Sequence, residues 1–141
     1  MTFEKISKLG SCSCLLDSNE DTSSEFVRKI AGIELDGVDF ENSFDRGADH
    51  TKMSCPQICS NAGISINKIT SDSLPKILEK YKVTFHINPA QCKYYVRFRF
   101  LPKAGVVKHT PNKNDPFHYD LYKADGFTIN SISIVSTNPI I

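Results

Sequence analysis

The spacing of apolar residues changes part-way along the chain, from three and four up to about residue 82 to two thereafter. In the first stretch Thr2 is placed to cap a short helix through Leu9 that stops at Gly10. Ser23 or Ser24 ahead of EFVRKIAG predicts a second helix, with Phe26, Val27 and Ile30 as its apolar stripe. DSNEDTSS between them reads as a polar loop, and GVDFENSFDRGADH is rich in turn formers. In SCPQICSNAG, Pro56 suits the first helical position and Gly63 the left-handed residue just past the end, which predicts a helix through about Ala62. A further helix follows Asp72 or Ser73, with Leu74, Ile77, Leu78 and Tyr81 at helical spacing.

After Lys82 the pattern alternates. VTFHIN places Val83, Phe85 and Ile87 on one face of a strand, and KYYVRFRFL places Tyr94, Val96, Phe98 and Phe100 on one face of another. PAQ divides these two strands, and PKAG separates the second from VVKH. FHYDLYK, a turn at ADG and FTINSISIV then predict a closing hairpin. The expectation is an α+β protein, a single domain over 1–141 in which short N-terminal helices precede an antiparallel sheet of about five strands.

Composition changes this picture little. With 40% hydrophobic and 23% charged residues in 141, the chain has the make-up of a globular domain large enough for a core, and no apolar run approaches membrane-spanning length. No membrane partner is expected. The N-terminus lacks the apolar core of a secretory signal, so the expectation is synthesis in the cytoplasm, with any export by a signal-independent route. Charge adds more. Residues 1–50 hold five basic and eleven acidic side chains, net −6, and residues 51–141 twelve and five, net +7. Lys93, Arg97, Arg99 and Lys108 fall in a stretch without carboxylates, so they meet an anionic partner, receive the acidic half folded onto them, or simply lie on solvated strand faces. The last two readings are preferred to a partner.

The five cysteines, Cys12, Cys14, Cys55, Cys59 and Cys92, leave at least one thiol free under any pairing, which argues against a dense disulfide framework. The spacings C-x-C and C-x3-C differ from the C-x2-C pairs of common zinc modules, although together they supply four thiols; no metal and no cofactor is expected. With Pro56 opening its helix, Cys55 becomes the cap residue, where the helix dipole favours a thiolate and hence a nucleophile. Cys59 then packs. Both cysteines also fit a short core helix as small apolar residues, and Cys12 and Cys14 are an alternative reactive pair. A thiol nucleophile needs a base, and His118 is better placed than His50, His86 or His109, because it opens a strand with Asp120 and Tyr122 on its own face.

A cysteine capping a helix, AGISI just after it, and a strand-opening histidine in HYDLYKADGFTIN with a polar residue twelve positions on together resemble the NlpC/P60 branch of papain-like thiol hydrolases, over residues 52–132. The resemblance implies a papain-like fold and a nucleophile at Cys55, a base at His118 and an orienting residue at Asn130. The implied substrates are peptide-type or side-chain amides in peptides, peptidoglycan or proteins. The implied setting is a small bacterial amidase or glutamine deamidase effector or toxin. Hairpin register bears on the third residue. A three-residue loop at 124–126 sets Asn130 across from Asp120, whereas a two-residue turn at Asp125-Gly126 sets it opposite Leu121 and leaves Asp120 as the polar neighbour of His118. Both Asp120 and Asn130 stay open. Two other classes remain: a metal-independent ribonuclease using His109, His118 and the basic strand of Arg97 and Arg99, and a non-catalytic module binding an anionic partner.

Overall fold

In the computed structural model the described residues are 1–87 and 92–141, and the side chains of residues 86 and 87 lie outside them. Elements run in the order α1 (Glu4–Ser7), β1 (Glu25–Ile30), a 3-10 turn (Gly37–Phe40), α2 (Cys55–Ala62), β2 (Ile64–Ile69) and α3 (Ser73–Ile87). β3 (Tyr94–Phe100), β4 (Gly105–His109), β5 (His118–Lys123), a second 3-10 turn (Ile129–Ser131) and β6 (Ile132–Pro139) complete the chain. The six strands form one antiparallel sheet in the order β4-β5-β2-β1-β3-β6. The expected α+β class with an antiparallel sheet is found, with six strands.

Several elements differ from the sequence reading. EFVRKI is the strand β1, near the middle of the sheet, not a helix. It is covered on both sides, so Phe26, Val27 and Ile30 are all fully buried and no alternation survives to mark it as a strand. The serines ahead of it serve an Asx turn instead: Asp21 Oδ1 accepts from the N–H of Ser23 and Ser24. VTFHIN is not a strand. Its first residues continue α3 through Ile87, extending the stripe Leu74, Ile77, Leu78, Tyr81 to the half-buried Phe85, while Val83 is exposed. The PAQ break lies outside the described residues.

The closing hairpin is absent as well. β5 pairs with β4 and β2, while β6 crosses to the far edge and pairs with β3, matching Ile132 with Phe100 and Ile134 with Phe98. Two things turn the chain away. Asp125 caps α1, accepting from the N–H of Glu4 and Lys5 and from the Thr2 hydroxyl, and Phe127 packs on Phe40 with ring centroids 5.6 Å apart. Thr2 therefore bonds the capping carboxylate rather than capping α1 itself. In α2, Ser54 rather than Cys55 is the cap, in a reciprocal capping box with Gln57, and Gly63 is extended (φ −78°, ψ 154°) rather than left-handed.

The two sheet faces differ. One carries the main core of Phe26, Ile64, Ile66, Val96, Phe98, Phe100, Val107 and Leu121, closed by Phe40 and Phe127. On the other, α2 packs Ile58 and Ala62 on Tyr122 and Val106 at one end, and α3 packs Ile77 and Tyr81 on Val27 at the other. Cys12 is bonded to Cys55 and Cys14 to Cys59, tying the N-terminal segment to α2, and Cys92 is free.

Candidate functional site

Between α2 and α3 a strip of sheet carries a registered row of Ser65 on β2, Asp120 on β5 and Lys108 on β4, with His118 beside it opposite Asn67. Ser65 is exposed and His118 and Asp120 are half-buried, so the strip faces solvent. Ser65 Oγ lies 2.9 Å from His118 Nε2. On the other side of the ring, Nδ1 lies 2.8 Å from Thr110 Oγ1 and 3.1 Å from the Thr110 carbonyl oxygen. A carbonyl only accepts, so Nδ1 carries a proton, and in the neutral ring Nε2 is then the acceptor for the Ser65 hydroxyl. The Thr110 hydroxyl also favours the ionised form of the Asp120 carboxyl. Donors and acceptors thus run in one direction, from Ser65 to His118 to Thr110. Burial pushes the Asp120 carboxyl above its ordinary value, against the opposing pulls of His118, the Thr110 hydroxyl and Lys108.

Neighbouring elements hold each member in place. The β1–β2 pairing ends at Val27 and Asn67, and Arg28 fills the parting by donating from Nη1 to the Ser65 carbonyl at 2.6 Å and from Nε to the Asp39 carbonyl at 2.7 Å. Gly63 leaves room for Asp120: a Cβ there would stand 2.9 Å from the carboxyl carbon. Under α3 a buried polar network fixes the loop that carries Thr110. Tyr81 donates to Asn67 Oδ1 at 2.9 Å, Asn67 Nδ2 donates to both oxygens of Asp115, and Lys80 Nζ sits 3.0 Å from the same carboxylate.

The residues expected to act together are only partly assembled. His118 and Asp120 share the strip. Cys55, in the first turn of α2, is held by its disulfide to Cys12, so its sulfur carries no thiolate in this state, and both ring nitrogens of His118 are engaged elsewhere. Asn130 is not near them. It lies in the 3-10 turn before β6, and β6 stands four strand spacings from β5, about 19 Å across the sheet. His109 stacks on Tyr119 at 4.6 Å and, by strand alternation, faces away from His118, so the two-histidine arrangement is not formed. His50 lies against Phe44, and the His86 side chain is outside the described residues.

Three of the four residues expected to meet an anionic partner have internal carboxylates to hand. Arg97 bonds Glu25 at 2.7 and 2.8 Å, Arg99 approaches it at 3.7 Å, and Lys108 is registered with Asp120. The structure also has a hollow of about 470 Å³ lined by Lys5, Leu9, Phe44, Asp45, Lys123 and Phe127; it lies by α1 and does not reach Ser65 or His118. Donor and acceptor geometry, rather than concavity, marks the strip. Ser65 and Thr110 were not found from sequence, since only the β2–β5–β4 register brings them to His118. Among the described residues no helix is long and apolar enough to cross a membrane. Compared with known proteins, the chain matches no family model, no curated protein and no solved structure.

Proposed function

We propose that the chain is a hydrolase of acyl compounds, peptide-type amides or esters, working through His118 with Ser65 as the attacking group. The single observation that carries this is the Ser65 Oγ to His118 Nε2 contact of 2.9 Å, with the imidazole held in the accepting tautomer by Thr110. Nε2 takes the Ser65 proton as Oγ attacks the carbonyl carbon, then passes it to the departing amine or alcohol. Water hydrolyses the acyl-enzyme by the same transfers in reverse. Thr110 positions the ring, and Asp120 lies on the same face of β5 as His118. An open strip suits an extended substrate such as a peptide better than a small enclosed one.

The expected thiol version keeps the reaction class but needs Cys55 freed from Cys12. One experiment separates the two. The oxidised and reduced chains are each exposed to a fluorophosphonate and to an alkylating agent, with mapping of the modified residues and turnover of an acyl ester series. Fluorophosphonate labelling of Ser65, with turnover falling by about 10²-fold or more in His118→Ala, is the expected result. Turnover that appears only after reduction and vanishes in Cys55→Ala assigns the chemistry to the thiol. Absence of both overturns the hydrolase reading.

A further inference from the structure

In the disulfide-bonded state the described residues hold no group of three or more His, Cys, Asp or Glu side chains placed for a metal. The disulfides nevertheless bring four cysteines from two distant segments into one cluster. Cys55 and Cys59 stand one turn apart on α2, and Cys12 and Cys14 run beside them at Cα separations of 5.4 and 5.1 Å. We propose that on reduction these four sulfurs form a tetrathiolate site for Zn²⁺, which then holds the N-terminal segment on α2 as the disulfides do in the oxidised chain.

Geometry supports a single ion. Cβ atoms one helical turn apart are about 6 Å from each other, and Cβ atoms across a disulfide about 4 Å. A point at the centre of that quartet is therefore about 3.5 Å from each Cβ. A zinc bound to sulfur at about 2.3 Å stands a little over 3 Å from the ligand's Cβ, so side-chain rotation suffices to convert one arrangement into the other. Neither backbone has to move far. The surroundings suit a closed structural site: Cys14 is buried with Ile58, Ala62 and Tyr122, while Leu9, Leu15 and Met53 pack at its edge. The positive end of α2 favours the thiolate charge. Access for reduction comes from the outer pair, since Cys55 is exposed and Cys12 half-buried.

The exchange balances with a dithiol reductant. Two equivalents deliver four electrons and four protons to the four sulfurs and leave as two disulfides; Zn²⁺ then displaces the thiol protons. The proposal is independent of the chemistry at His118.

The test is titration of the full-length reduced chain with Co²⁺ under anaerobic conditions, followed by Zn²⁺ displacement, with circular dichroism recorded throughout. The expected result is one metal per chain, the visible and thiolate charge-transfer bands of tetrahedral tetrathiolate cobalt, and a native-like spectrum in the metal-loaded chain. Cys14→Ser or Cys59→Ser should each weaken binding by more than about tenfold, and Cys92→Ser should leave it unchanged. The proposal is overturned by absence of the cobalt bands, by bands that survive Cys14→Ser and Cys59→Ser, or by binding that leaves the reduced chain unfolded.

Discussion

At the scale of single residues, Thr110 carries the arrangement around His118. Its carbonyl fixes the proton on Nδ1 and its hydroxyl stands 2.8 Å from the same ring nitrogen. On the proposed hydrolase reading, replacing Thr110 with Val keeps the carbonyl and the size but removes the hydroxyl, so the expected outcome is a folded protein with turnover reduced by about 10-fold and an altered pH profile, read from kcat/KM against pH. Asp120 permits a sharper test. Its folded-state pKa is raised by burial, so the ionised form is disfavoured by folding. That penalty is absent below the unfolded value, near pH 4, and grows as pH rises through the folded value. Asp120→Asn should therefore gain stability relative to the parent as pH rises above about 4, and melting curves from pH 3 to 7 would show a flat difference if the carboxyl were not strained by burial. Only half of this arrangement was visible in the sequence. His118 and Asp120 could be singled out because they share a strand face, but Ser65 and Thr110 reach them only through cross-strand register.

At the scale of elements, legibility followed how many faces an element buries. β3, β4 and β5 were readable because alternation or turn punctuation survives in their sequences. β1 was misread because burial on both sides gives Phe26-Val27 and Ile30 the spacing of a helix stripe. α3 was cut short because VTF mimics a strand, although Thr84 Oγ1 donates to the Lys80 carbonyl one turn back, as helical threonines do. Beneath α3, the Tyr81–Asn67–Asp115 network should be costly to break. Asn67→Ala leaves a buried carboxylate and a phenol short of partners, an expected loss of about 1–3 kcal/mol by denaturant unfolding, with amide exchange quickened from Thr110 to Phe117. The two disulfides close nearly the same loop, over separations of 43 and 45 residues. Once one is formed the other restricts the unfolded chain less. Removing either alone should cost about 2 kcal/mol and removing both more than twice that, which a double-mutant cycle measures.

For the whole molecule, the uneven charge is resolved by contact between the halves. Asp21 reaches Lys68 at 3.8 Å, Glu25 holds Arg97 and Arg99, Asp45 bonds Lys123 at 2.6 Å, and Glu20 accepts from the Lys103 N–H. Burial pushes the Asp45 carboxyl up, but the Lys123 hydrogen bond, the Asn42 N–H and the Lys123 charge outweigh it and hold it below its ordinary value. Asp21 is likewise held low, with burial outweighed by the Ser24 hydroxyl, the Ser24 and Ser23 N–H groups and Lys68. Carboxylates with depressed folded values contribute stability above the unfolded value, near pH 4, and lose it as pH falls through the folded one. Lys123→Met should therefore shrink the acid-induced fall in stability between pH 4 and 2, by about 1 kcal/mol for a partly buried pair that solvent still screens.

Strand order also dictates when this protein can be completed during synthesis. β1, made early, lies between β2 and β3, and β6, made last, closes on β3 at the opposite edge from β4. Cys55 and Cys59 emerge well before Tyr94, so the cross-links to Cys12 and Cys14 can close around β1 while one of its two neighbours does not yet exist. Such non-local pairing places refolding in the slow range of roughly milliseconds to seconds. During that interval the apolar Phe26-Val27 segment waits half-paired, and the nascent chain is most exposed to aggregation between translation of residue 69 and residue 100.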